Sequence, residues 1–140
     1  MKPIALDFDG HTLRAALWDE RAPVLCGRIW EALPLEGQVT NTIWSGEMLR
    51  LWVEIPEPEQ LENVRVLHHP GDILFVPRWN GLRLVYGQAM MRGPAGAHPV
   101  PVVGRVIDPL APLREFARRI EWDGARVLRV RRAEGGASGR

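Results

Sequence analysis

Cysteine, lysine and long apolar runs are scarce in this 140-residue chain. The single cysteine, Cys26, cannot form an intramolecular disulfide, which is typical of a reducing compartment and predicts a cytoplasmic protein. No apolar run approaches the roughly 18 residues that a membrane-spanning helix needs. The first residues, Met1-Lys2-Pro3, lack the pattern of a signal peptide. The sequence therefore predicts no association with a membrane.

Positive charge is carried almost wholly by arginine, yet the net charge is only +1. Residues 1–100 carry nine cationic and twelve acidic side chains, whereas residues 101–140 carry nine and five. The sequence pI of about 8.0 lies below the value of about 9 above which nucleic-acid-binding domains typically fall. We therefore expect no nucleic-acid partner.

Length and composition predict a single globular domain. Hydrophobic residues make up 46% of the chain and charged residues 25%, which is an ordinary globular balance. A chain of this size can bury an adequate core without disulfides or metals. We expect the domain to span residues 1–132, followed by a flexible tail at 133–140 that is rich in glycine.

Alternation of apolar and polar residues predicts a mainly β structure. Strands are expected at 3–9, 12–18, 38–44, 47–55, 64–67, 72–76, 82–86, 101–108 and 125–131. The first two form a hairpin, and Ser45-Gly46 predicts a two-residue turn between the next two. Helices are expected at 23–33, where Pro34 ends the first, and at 113–120, while 87–99 is a long surface loop. About eight short strands and two helices favour a closed barrel capped by helices.

The segment Asp7-Phe8-Asp9-Gly10 resembles the first motif of haloacid-dehalogenase-like phosphatases. In that family the first aspartate is the nucleophile, and a threonine directly follows the glycine. Here His11 follows Gly10, and the next segment has the alternation of a strand and not the pattern of a helix. We therefore interpret these residues as a hairpin turn without phosphatase chemistry.

Four segments in order carry a second resemblance: Cys26-Gly-Arg-Ile-Trp-Glu-Ala-Leu-Pro34, Trp44-Ser-Gly-Glu47, Pro70-Gly-Asp-Ile-Leu-Phe-Val-Pro77 and Val103-Gly-Arg-Val-Ile107. Through them the chain resembles the bacterial and archaeal cyclophilin-like domains of unknown function. With the closing helix and strand, the similarity covers nearly all of residues 2–132. The resemblance implies a closed, roughly eight-stranded barrel with a helix at each end.

True cyclophilins isomerise X–Pro bonds with the help of an arginine on the strand after the first helix. The matching stretch here, residues 40–47, contains no arginine, and Arg50 lies beyond the turn. Where that family has an aromatic–glutamine segment, this chain has Leu49-Arg-Leu-Trp52. Prolyl isomerisation is therefore the least favoured function, and whether the protein is an enzyme stays open.

Polar and aromatic side chains of neighbouring strands are predicted to share an outer groove. Arginine can hold a carboxylate through two hydrogen bonds while an indole covers an apolar ligand body. The candidate ligand-binding residues are Trp44, Glu47, Arg50, Trp52, Arg78, Trp79, Asn80 and Arg83. They predict binding of a small anionic or amide-bearing molecule. The alternative is a homodimer or higher homo-oligomer, because tryptophan and arginine are also enriched at protein interfaces.

Weaker candidates for a site are His68, His69 and Asp72. Adjacent residues on a strand point to opposite faces, so the two histidines are not expected to share a metal. Ser45 has no obvious histidine and aspartate partners and is not predicted to be a nucleophile. We predict no metal and no cofactor, and we expect Trp18, Trp30 and Trp122 to pack in the core or in the helical caps.

Overall fold

The computed structural model describes residues 1–76 and 81–133. Within these ranges the strands are β1 (Lys2–Phe8), β2 (His11–Leu17), β3 (Leu35–Asn41), β4 (Gly46–Trp52), β5 (Val64–Arg65), β6 (Asp72–Val76), β7 (Gly81–Ala89), β8 (Arg92–Gly93), β9 (Gly96–Ala97), β10 (Val100–Val106) and β11 (Arg126–Arg132). The helices are α1 (Pro23–Ala32) and α2 (Ala111–Asp123).

Eight of these strands close into an antiparallel barrel. Their order is β2-β1-β11-β3-β4-β7-β6-β10, and β10 pairs again with β2 to complete the ring. Strand β5 adds to one end of β10, and β8 with β9 forms a small separate hairpin. The predicted mainly β barrel with two helices is confirmed.

The hairpin of β1 and β2 follows from an Asp-Gly turn. Asp9 and Gly10 both have positive φ, 46° and 78°, which is the conformation of a type I′ turn and fits the twist of a two-residue hairpin. The predicted strands 3–9 and 12–18 imply a turn at Gly10-His11, and the structure places the turn one residue earlier. The chain returns as an antiparallel strand, as expected for a hairpin, and the Asp7 carboxylate accepts hydrogen bonds from Thr12 and Arg131.

The two helices close opposite ends of the barrel. The ring of Phe116 in α2 packs against Phe8 at the end of β1, with the ring centroids 4.6 Å apart. At the start of β1, the carbonyl of Trp30 in α1 accepts hydrogen bonds from Arg132. The buried sides of both helices join the inward residues of the strands in one interior core.

A second, smaller apolar cluster lies on the outside of the barrel. All but one of its members lie on the outward sides of β4, β6, β7 and β10, and Met91 comes from the segment after β7. The members are Met48, Leu74, Val76, Val85, Met91, Val100 and Val102. The stretch 87–99, predicted as a long loop, belongs to β7 as far as Ala89. It then packs Met91 against this cluster and continues into the hairpin of β8 and β9. This part of the outer wall is therefore covered, and the cover forms one flank of the site described below.

Several elements differ from the sequence prediction. Strand β3 ends at Asn41, so residues 42–45 make a four-residue connection and Ser45-Gly46 is not a two-residue turn. Trp122 is 84% exposed, contrary to the expected core or cap position, because it lies on the opposite side of α2 from Phe116 and Ile120. Trp18 and Trp30 are half-buried beside the outer cluster and the core.

Cys26 and Gly104 both occupy closely packed positions. Cys26 is fully buried in α1, and burial raises the pKa of its thiol to about 12. Gly104 lies at a bulge between β10 and β6, and a Cβ there would collide with the carbonyl oxygen of Ala16. Residue 133 follows β11, and the rest of the predicted tail lies outside the described residues.

Candidate functional site

The site is built on two arginines that face each other across β4 and β7. Arg50 and Arg83 are direct partners in the register of this pair. Their neighbours Leu49 and Leu84 belong to the interior core, so alternation turns both arginines to the outside of the barrel. Like charges placed opposite each other on a sheet are destabilising. The protein therefore carries an electrostatic cost at this position.

Arg50 is stacked on Trp52. The guanidinium carbon lies 3.4 Å from the centroid of the indole ring, and the indole Nε1 donates a hydrogen bond of 2.9 Å to the hydroxyl of Thr40. That hydrogen bond fixes the ring on which the guanidinium rests. Stacking uses the face of a guanidinium, whereas its N–H groups point outward in its plane and suit planar anions. Burial lowers the pKa of Arg50 below its usual value.

Arg83 is buried and lies against Met48. Only 4% of Arg83 is exposed to solvent, and its Nη1 lies 4.0 Å from the sulfur of Met48. Its Nε has no hydrogen-bond partner among the residues that the structure describes. Burial, followed by the charge of Arg50, lowers the pKa of Arg83 to about 10, so the side chain is still protonated at neutral pH. A buried cation of this kind is costly unless an anion accompanies it.

A cavity of about 590 Å³ opens over these side chains. It lies between the strand residues, the 42–45 connection and the segment around β8, and we call it the arginine–tryptophan pocket. Its described lining residues are Thr40, Asn41, Thr42, Ile43, Trp44, Ser45, Arg50, Trp52, Arg83, Met91, Arg92, Gly93 and Pro94. The lining thus contains three arginines, and none of its described residues is an aspartate or glutamate.

The two flanks of the pocket are tied together. The buried hydroxyl of Ser45 accepts a hydrogen bond of 3.2 Å from the backbone N–H of Arg92 and lies 3.7 Å from the sulfur of Met91. The backbone N–H of Met90 donates to the carbonyl of Ser45. Ser45 therefore holds the 42–45 connection against the β8 segment, which is a structural use of its hydroxyl.

The predicted ligand-binding residues divide into three groups. Trp44, Arg50, Trp52 and Arg83 line the arginine–tryptophan pocket, as just described. Glu47 is exposed and does not line it, because its carboxylate turns away to accept a hydrogen bond of 2.9 Å from the backbone N–H of Gln88. Arg78, Trp79 and Asn80 lie outside the described residues.

The weaker candidates lie elsewhere. Asp72 is buried, accepts a hydrogen bond of 2.8 Å from the backbone N–H of His69, and forms an ion pair of 3.1 Å with Arg105. Its carboxylate therefore holds the turn before β6. The imidazole of His68 is buried, which lowers its pKa. Residues 1–76 and 81–133 contain no group of three or more His, Cys, Asp or Glu side chains placed to hold a metal ion.

The flank formed by Met91, Arg92, Gly93 and Pro94 was not predicted from the sequence. The glycines and prolines of this stretch predict a surface loop. The signal that points to a packed segment is Met90-Met91, a pair of large apolar side chains among residues that are otherwise small or polar.

Comparisons with known proteins show a family and a fold. Residues 4–131 match the model of a family described as a protein of unknown function, DUF3830. The barrel is similar to McbB, solved in complex with tryptophan, with a TM-score of 0.76 and 24% identity over 94% of this chain and 45% of McbB. It is also similar to the hypothetical protein AF2241 from Archaeoglobus fulgidus, with a TM-score of 0.69 and 20% identity over 94% of this chain and 95% of that one.

The chain spans less than half the length of McbB. No curated protein matches it. Among the described residues, neither helix is long and apolar enough to cross a membrane.

Proposed function

Because the chain belongs to the DUF3830 family, whose function is unknown, we propose a function from its pocket. The protein binds a small organic anion with a flat apolar body in the arginine–tryptophan pocket. The observation that carries this proposal is the Arg50–Arg83 pair, two cations on facing positions in a lining whose described residues include no acid.

An anion would relieve the electrostatic cost of this pair. Folding brings two guanidinium groups together on one wall and removes Arg83 almost wholly from water. A carboxylate between them would accept hydrogen bonds from both and would compensate for the lost hydration of Arg83. The ligand would thus supply the counter-ion that the described lining lacks.

The rest of the pocket fits the body of such a ligand. A volume of about 590 Å³ lies within the range of roughly 300–1,000 Å³ typical of small-molecule sites. Trp44, Ile43, Met91 and Pro94 supply apolar surface around it. McbB, a similar barrel, was solved with tryptophan, which has an aromatic ring and a carboxylate. That makes aromatic carboxylates suitable first probes here.

We also propose that the barrel is a relative of the cyclophilins, on the sequence segments quoted above and the helices at its two ends. The described lining residues of the pocket do not form the set of catalytic residues that the cyclophilins use. Catalysis of X–Pro isomerisation therefore stays disfavoured, and no reaction is assigned.

Isothermal titration with aromatic carboxylates tests the binding function. We expect at least one of benzoate, 3-phenylpropionate and indole-3-propionate to bind the wild type. Arg83→Met should then weaken binding at least tenfold, because it removes the buried cation. Arg83→Lys keeps the charge but loses the planar pair of donors, so we expect an intermediate affinity.

The control is Arg118→Met, which removes one positive charge from the exposed side of α2. It should bind as the wild type does, and circular dichroism should show all three variants folded. If no carboxylate binds, or if both Arg83 variants bind as tightly as the wild type, the proposed function is wrong.

The alternative of a homo-oligomer is also supported by a specific observation. Ile43 and Trp44, adjacent in the connection after β3, are 90% and 65% exposed. Neighbouring apolar side chains in such positions suit contact with a second copy. Light scattering distinguishes the two functions, because a monomer over the accessible concentration range contradicts the oligomer.

A further inference from the structure

The charged side chains among the described lining residues of the arginine–tryptophan pocket are all cationic, and this bears on the choice among anions. Arg50, Arg83 and Arg92 contribute to the lining, whereas none of the described lining residues carries a carboxylate. A simple carboxylate brings only negative charge to these groups. An α-amino acid brings a carboxylate together with an ammonium group, which lies two bonds from the carboxylate carbon.

We infer that the pocket selects organic acids without an amino group over the α-amino acids that have the same side chain. This inference rests on the proposed function and names its ligand class, which is aromatic or other flat-bodied carboxylic and 2-oxo acids. The cause is repulsion. When the carboxylate is held by Arg50 and Arg83, the ammonium group of an amino acid is carried to within a few ångströms of the same guanidinium groups, where screening by water is reduced.

The other polar groups of the described lining are neutral. The side-chain oxygen of Asn41 accepts a hydrogen bond of 2.7 Å from Tyr86, and its amide nitrogen donates to the carbonyl of Ala117. The hydroxyls of Thr40 and Ser45 accept from Trp52 and from the backbone of Arg92, and the hydroxyl of Thr42 donates to the carbonyl of Gly46. An ammonium group would therefore meet only neutral acceptors, and no carboxylate, among the described lining residues.

Titration calorimetry with ligands that share one aromatic ring and differ in their charged groups tests this selection. Indole-3-propionate has the carboxylate alone, L-tryptophan has the carboxylate and the ammonium, and tryptamine has the ammonium alone. We expect indole-3-propionate to bind at least tenfold more tightly than L-tryptophan and tryptamine to show no binding. The pair 3-phenylpropionate and L-phenylalanine should show the same order if the pocket prefers the smaller ring.

A paired substitution at the rim supplies a charge control. Ile43 lines the pocket and is 90% exposed, so Ile43→Glu should fold and should add one carboxylate there. The preference for the acid over the amino acid should fall to threefold or less in Ile43→Glu. It should stay at its wild-type value in Ile43→Gln, which has nearly the same shape without the charge.

The outcomes separate this inference from the function on which it rests. If L-tryptophan and L-phenylalanine bind as tightly as their amino-free partners, and Arg83→Met still weakens binding at least tenfold, the selection is wrong while the binding function stands. Equal effects of the two Ile43 variants would also overturn the selection. If no carboxylate binds the wild type, both proposals are wrong.

Discussion

Arginines on the strands of the barrel occur in two settings with opposite surroundings. Four of them, on β2, β10 and β11, are each bonded to an aspartate at 2.7–3.1 Å, and we call these four the paired region: Arg14 with Asp108, Arg105 with Asp72, Arg126 with Asp9 and Arg131 with Asp7. In the arginine–tryptophan pocket, Arg50 lies on an indole and Arg83 lies against a thioether.

The difference separates structural arginines from candidate binding arginines. In the paired region the chain itself provides the counter-ion, so the charge is neutralised when the protein folds. In the pocket the described lining contains no carboxylate, and in the proposed function the ligand brings one. Arginine content alone therefore carries no functional meaning in this chain, and the distinguishing property is where the nearest carboxylate comes from.

The largest effect on stability is expected from Arg105→Met in the paired region. Asp72 is only 2% exposed and would keep its hydrogen bond from His69 but lose its cation. Breaking a fully buried pair costs about 3–5 kcal/mol. Because Arg105 is 44% exposed, we expect a loss of about 2 kcal/mol in the free energy of unfolding. Urea denaturation measures it, and a loss no larger than that of Arg118→Met would contradict the structural role.

A smaller, pH-dependent effect is expected from Asp7→Asn. The hydrogen bond from Arg131 lowers the pKa of Asp7, and Thr12 adds to this effect. A carboxylate whose pKa is lower in the folded state stabilises the fold above the unfolded pKa of about 4, and this contribution is lost as the pH falls through the folded pKa. The variant should be about 1 kcal/mol less stable at pH 7, since the pair is partly screened by water.

The difference between this variant and the wild type should shrink as the pH falls from 7 through the folded pKa of Asp7, because the carboxyl group then becomes protonated in the folded state as well. Urea denaturation over a series of pH values gives the comparison. A difference that stays constant with pH would mean that Asp7 contributes through shape and not through its charge.

The smallest effect is expected from Arg83→Met in the absence of ligand. Replacing a buried charge by an apolar side chain of similar size is often neutral or stabilising. We therefore expect a change of less than about 1 kcal/mol in the free energy of unfolding, in contrast to Arg105→Met. A loss as large as that of Arg105→Met would erase the distinction between the two regions and would make Arg83 a structural residue.

The barrel was predictable because its signals are local. Alternation within a strand decides which side chains point inward, and it correctly turned Arg50, Trp52 and Arg83 outward. The flank around Met91 was not predictable, since it depends on a segment that folds back over a sheet formed by distant residues. Trp122 shows another limit: the predicted helix ended at residue 120, whereas α2 continues to Asp123 and turns Trp122 away from the side of Ile120.

Closure of the ring has a consequence for how this protein can vary. In a closed barrel the offsets between successive strands must add up to one total, so a slide of β4 along β7 needs an opposite slide elsewhere. A slide by one residue would also turn Arg50 into the interior. Insertions between β3 and β4, or between β8 and β10, face no such constraint. The mouth of the pocket can therefore change in length and sequence while positions 50 and 83 stay opposite each other on the wall.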